Sequence, residues 1–178
     1  MSDHPPEHIA SVGEFLAHAL ELEYESAERY RELADNMSVH NNPEIAELFE
    51  YLARMSDLHA QEVEEHARGI QIPQIAPWDY KWAAGGSPEA NAAEQDEELS
   101  YLMTPIQAMH LALHNELRGR DFYARVAAGS PDPEVRRLAA EMAEEETEHA
   151  DLLEQRLAKM DPRRAEPVED LDPPNMPE

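Results

Sequence analysis

Four stretches of this sequence open on a helix-capping signal and then carry apolar residues three and four apart, the period of a single buried helix face. Ser11 with Glu14 has capping-box spacing and opens the first, whose stripe is Phe15, Leu16, Ala19, Leu20, Ala27, Tyr30 and Ala34 and which should stop near Asn36. Asn42 before Pro43 pairs an N-cap with a proline at the first helical position. The stretch it opens carries Ile45, Leu48, Phe49, Leu52 and Met55, with Gly69 as the residue that closes it. Thr104-Pro105-Ile106-Gln107 starts a third that ends at Gly129, and Asp132-Pro133 starts a fourth that runs to about Met160. The connections are short, long and short, and short connections force antiparallel neighbours. The long one, 70–104, is broken by Pro73, Pro77, Gly85, Gly86 and Pro88, and is long enough to cross the length of a bundle. It holds Trp78 and Trp82, both tryptophans of the chain, so it should pack onto a surface. The expectation is an all-α antiparallel four-helix bundle over 1–160, with the crossover between helices 2 and 3. Residues 161–178, rich in proline and acid, are expected to be a disordered tail.

Charge narrows the partners. Fourteen Lys and Arg against thirty-nine Asp and Glu leave a net charge of −25. Nucleic acid and anionic lipid surfaces are repelled by such a chain, whereas cations are attracted. With no cysteine, disulfides, thiolate zinc sites, iron–sulfur clusters and rubredoxin-type centres are excluded. No apolar run approaches the ~20 residues of a membrane span. The opening MSDHPPEHIA lacks the regions of a signal peptide, so a cytoplasmic location is expected.

The two halves of the chain are near repeats. Ala19–Tyr30 lies over Ala112–Tyr123 at an offset of 93, and Leu48–His59 over Leu138–His149 at an offset of 90. This is what duplication of a two-helix unit produces. The repeat preserves Glu23 and Glu116 on the first helix of each half, and His59 and His149 on the second. Glu23 sits between Leu20 and Ala27, and Glu116 between Leu113 and Tyr123, so both carboxylates should point inward, where burial is costly without compensation. Glu146 and His149 are three apart and share a face. A Glu from each of two helices with Glu-x-x-His from the others is a di-iron carboxylate pattern, and a long crossover between helices 2 and 3 is the ferritin-like topology.

On Glu23 with Tyr30, His59, Glu116 with Tyr123, and Glu146-Thr147-Glu148-His149, the chain resembles the rubrerythrin-like branch of the ferritin-like superfamily over about residues 8–160. The resemblance implies a non-haem di-iron site in the bundle core. It also implies peroxide reduction, ferroxidation or iron handling, and assembly as a homodimer or larger homo-oligomer. The implied metal ligands are Glu23, His59, Glu116, Glu146 and His149. Three departures accompany it. Ser56 stands where the family has the Glu of a second-helix Glu-x-x-His, and Glu62, on the same face as His59, is the candidate replacement. Gly119 stands where the peroxidases carry an extra Glu. There is no rubredoxin tail, so an enzyme of this kind needs an external electron donor.

Other readings stay open at this stage. Glu145 competes with Glu146 for the face of His149, and Tyr30 and Tyr123 are expected as core aromatics hydrogen-bonded near the carboxylates. His66 is expected as a neighbour of the site, and His110 and His114 should miss it. Two functions follow: a di-iron oxidoreductase acting on ferrous iron, oxygen or peroxide, or an iron-binding, storage-related or degenerate bundle without turnover. Manganese suits the same ligand types as iron. The second half offers Glu116, Glu146 and His149, while the first offers only Glu23 and His59 unless Glu62 swings in, so one metal position should be tighter than the other.

Overall fold

The capping signals become helix starts. In the computed structural model, which describes residues 5–82, 86–89 and 103–160, the helices are α1 (Val12–Val39), α2 (Pro43–His66), α3 (Pro105–Gly129) and α4 (Pro133–Lys159). Short 3-10 turns lie at Pro6–His8 and Pro77–Asp79, and no strand occurs among the described residues. The tail 161–178 and residues 83–85 and 90–102 of the long crossover lie outside the described residues. Among the described residues no helix is long and apolar enough to cross a membrane.

Ser11 accepts from the Glu14 amide, Thr104 and Gln107 form a reciprocal capping box, and the Asp132 carboxylate accepts from the Glu134 and Val135 amides. Two boundaries differ from expectation. Helix α1 runs past Asn36 to Val39, because Met37 adds a fully buried anchor to the apolar stripe. At the next helix start, Asn42 spends its amide on the His40 carbonyl at 3.0 Å, so Pro43 opens α2 without a side-chain cap. Gly69, with φ +78°, turns the chain two residues beyond the C-cap Ala67.

Helix α1 packs along α2 and α3 along α4, and the two hairpins face each other. The apolar core falls into two clusters. One gathers Met37, Phe49, Leu52, Met109 and Leu153; the other gathers Phe15, Leu16, Phe122, Val126 and Val135. Along every helix, buried polar residues lie between these clusters: Glu23 and Ser26, Ser56 and His59, Glu116, then Glu146 and His149. The fold therefore builds a polar layer in the middle of a bundle closed by hydrocarbon on either side.

The segment after α2 is anchored by one tryptophan rather than two. Trp82 meets the rings of His18 and Phe122, each at 5.1 Å, and the Lys81 amide donates to His18 Nε2 at 2.8 Å, whereas Trp78 is 79% exposed. Gly13 permits this path, since a Cβ there would stand 2.6 Å from the Gln71 carbonyl oxygen. Farther along, Arg118 donates to the Pro88 carbonyl at 3.0 Å and Asn115 to the buried carboxyl of Glu89 at 2.9 Å, seating that piece of the crossover against α3.

Candidate metal centre

Every predicted ligand except Glu62 lies in the polar layer. Glu23, His59, Glu116, Glu146 and His149 are each less than 9% exposed. Glu116, Glu146 and His149 bring one ligand atom apiece to within 4.8 Å of one another, and they are the three-residue group among the described residues that does so. His149 Nδ1 stands 3.4 Å from Glu116 Oε2; in the other half, His59 Nδ1 stands 3.7 Å from Glu23 Oε2. The two imidazoles stack, centroids 5.1 Å apart and planes 11° from parallel, so the half-sites face one another across the bundle axis. The Tyr30 hydroxyl donates to Glu116 and the Tyr123 hydroxyl to Glu23, so each tyrosine serves the glutamate of the opposite half.

The electrostatics are those of too many carboxylates in one dry place. Burial pushes the Glu146 carboxyl well above the usual range, with the Glu116 charge adding to it. Burial acts on Glu116 too, but the neighbouring Glu146 carboxyl, the facing His149 imidazole and the Tyr30 hydroxyl outweigh it and hold Glu116 below its ordinary value. One proton thus sits on Glu146 and is shared with an ionised Glu116. Burial raises Glu23; it would depress His59, but the carboxylates of Glu23 and Glu145 outweigh it and hold the imidazole above the ordinary histidine value.

The rubrerythrin family profile matches residues 14–84 and 107–174. The chain belongs to the rubrerythrin family. It is also similar to the crystal structure of an uncharacterized conserved protein from Magnetospirillum magnetotacticum MS-1, with 43% identity and a TM-score of 0.70, covering 85% of this chain and 96% of that one. No curated protein sequence matches it significantly. Rubrerythrins are in general di-iron proteins with the ferritin-like four-helix bundle seen here, and the residues fit such a group. His59 Nδ1 and Glu116 Oε2 are buried with no hydrogen-bond partner, each aimed at the facing ligand across 3.4–3.7 Å. Two atoms on one metal stand about 3–3.5 Å apart when each bond is roughly 2 Å. The 3.4 Å pair of the Glu116 half falls within that range and the 3.7 Å pair of the Glu23 half just beyond it, separations that suit a shared cation.

The departures from the rubrerythrin pattern acquire a physical form. Ser56 is buried and donates its hydroxyl to Ser26 Oγ at 3.2 Å, so the place of the missing glutamate is filled by two hydroxyls. Glu62 is solvent-exposed on α2 and adds only charge near His59. His66, His110 and His114 are exposed as well. Two acidic residues near the centre have roles that no local signal assigns. Glu145 lies half-buried with Oε2 3.7 Å from His59 Nε2, and Glu89 reaches the interior from the crossover. Helical spacing placed Glu145 as a rival for the face of His149, yet it reaches across to the other half. Glu89 lies in a stretch with no periodicity to read.

Proposed function

We propose that this protein is an iron oxidoreductase in which ferrous iron is oxidised at the bundle centre by oxygen or peroxide. The single observation that carries the reading is the buried Glu116–Glu146–His149 group, whose ligand atoms converge to within 4.8 Å of one another. Bound iron supplies one-electron chemistry beside an oxidant; the chain's residues supply the rest. Glu116 and Glu23 enter as ionised oxygens from α3 and α1, and His149 and His59 as neutral nitrogens from α4 and α2. Glu146 gives up its proton when a cation arrives, because a positive charge replaces the repulsion that keeps the proton there. With ferrous iron as substrate the balance closes simply: two ferrous ions lose one electron each, and peroxide takes both with two protons to leave two waters. The net charge of −25 suits the capture of that cation from dilute solution.

The two half-sites are unequal in this reading. The half with Glu116, Glu146 and His149 binds the tighter ion, and the half with Glu23 and His59 the weaker one. Ser56 bonded to Ser26 is the observation that favours the second reading, iron binding without turnover. Anaerobic titration with Fe(II) followed by oxygen or peroxide separates the two. Two irons per chain and rapid oxidation are expected, and both should be lost in Glu116→Ala and His149→Ala. Full iron-dependent turnover in either variant would remove the proposed centre. One bound iron and no oxidation would establish the second reading.

A further inference from the structure

His59 lies between two carboxylates. Its Nδ1 is 3.7 Å from Glu23 Oε2 and its Nε2 is 3.7 Å from Glu145 Oε2. The two nitrogens are on different edges of the ring, so Glu145 occupies the side away from Glu23. Consistent with this, Glu23, His59 and Glu145 do not bring three ligand atoms within 4.8 Å, as Glu116, Glu146 and His149 do. Glu145 is thus badly placed to share a cation with Glu23 and well placed to hold the far side of the imidazole. Its oxygen lies about half an ångström beyond an ordinary hydrogen bond, a gap that rotation of a side chain 35% exposed can close.

We propose that Glu145 is a positioning residue for His59: its carboxylate accepts the Nε2–H of the imidazole, which leaves the Nδ1 lone pair directed toward Glu23 for a cation. This rests on the di-iron reading and deepens it. A neutral imidazole has two tautomers, and only one presents Nδ1 as a ligand; a carboxylate on the other nitrogen selects that one. The weaker half has particular need of the device. Ser56 brings no carboxylate from α2 and Glu62 is exposed, so that half depends on Glu23 and one correctly turned ring. The partner comes from α4, the helix that also carries Glu146 and His149, and so ties the weaker position to the stronger one.

The test uses the full chain loaded anaerobically with Fe(II), with both affinities measured by equilibrium dialysis, for the native protein, Glu145→Ala, Glu145→Gln and Glu62→Ala. Outer partners of a metal-bound histidine are worth about 10–100-fold in affinity. Glu145→Ala should lose that factor at the weaker position and leave the tighter one within about threefold. Glu145→Gln, whose amide oxygen still accepts the Nε2–H, should recover most of the loss, and Glu62→Ala should behave like the native chain. In the Co(II)-loaded protein, the ring N–H proton of His59 should exchange slowly with water, and rapidly in Glu145→Ala. If Gln is as damaging as Ala, Glu145 is itself a ligand and the proposal falls. If Glu145→Ala matches Glu62→Ala, Glu145 is only a solvated charge and the proposal falls again. A native chain that binds Fe(II) at neither position refutes the di-iron reading as well, whereas an intact pair of positions untouched by Glu145→Ala refutes this inference alone.

Discussion

The Glu146 carboxylate packs against Gly119. A Cβ at Gly119 would stand 3.4 Å from Glu146 Cδ and 3.5 and 3.7 Å from its two oxygens, so the carboxylate fills the space that a larger residue would need. The offsets of the repeat place Ser56 opposite Glu146 and Ser26 opposite Gly119, and in that half the two hydroxyls fill the same space, 3.2 Å apart. Glutamate at 56 therefore competes with the Ser26 hydroxyl for space, and the pair Ser26→Gly with Ser56→Glu reproduces in this half the arrangement of Gly119 with Glu146. Ser56→Glu alone overpacks a buried site, at about 1–3 kcal/mol, and adds a carboxyl that must be buried neutral or left without a partner. A total loss near 3 kcal/mol in metal-free protein corresponds to roughly 6–12 °C in melting temperature for a chain of this size. Adding Ser26→Gly returns the steric part and gives back about half a kcal/mol through the glycine in a helix. With Fe(II) present, the added anionic ligand should tighten the weaker position at least tenfold, or about 1.4 kcal/mol. The assay is thermal unfolding by circular dichroism with chelator and with anaerobic Fe(II), alongside iron stoichiometry by equilibrium dialysis. Two results would refute the reasoning: a double variant that binds its second iron no better than the native chain, or a single Ser56→Glu as stable as the double. The second would mean that Ser26 does not occupy the space the carboxylate requires.

Further expectations follow from the crossover and from the start of α1. Burial, with the Glu116 charge adding to it, raises Glu89 from 4.5 to about 8, so the folded protein keeps a proton that the unfolded chain releases near pH 4.5. Its share of stability is therefore fully present below about pH 4.5, declines as pH rises toward 8 and is lost above that. Glu89→Gln in chelated protein should match the native stability at pH 5 and exceed it by a few kcal/mol at pH 9; a difference in urea midpoint that does not change with pH would contradict this. Gly13→Ala drives a methyl to 2.6 Å from the Gln71 carbonyl oxygen and should cost about 1–3 kcal/mol, read as a lowered melting temperature. An unchanged melting temperature would mean that the chain after α2 does not lie across the start of α1.

The sequence by itself determined the helices and the identity of the central glutamates and histidines, because both are written in local signals. Ser11, Thr104 and Asp132 cap their helices through side-chain bonds spanning two or three residues. Glu23, Glu116, Glu146 and His149 are buried because the period of one helix face puts them there. The duplication strengthened the reading by repeating it. Local signals failed where two uses competed for one group, as when the Asn42 amide bonded the preceding turn instead of capping α2. The tertiary structure decided everything that depends on the rotation and axial register of one helix against another. It turned Glu145 toward His59 of the other half, left Glu62 in solvent, closed the gap at position 56 with Ser26, and brought Glu89 inside from a segment without period. It also chose Trp82 over Trp78 as the anchor of the crossover. The physical reason is one of scale. A capping bond or a helix face is set within a few residues, whereas a contact between helices is set by the packing of two whole surfaces, and a turn of a fraction of one residue exchanges the side chain that meets the central polar layer for the one that meets water.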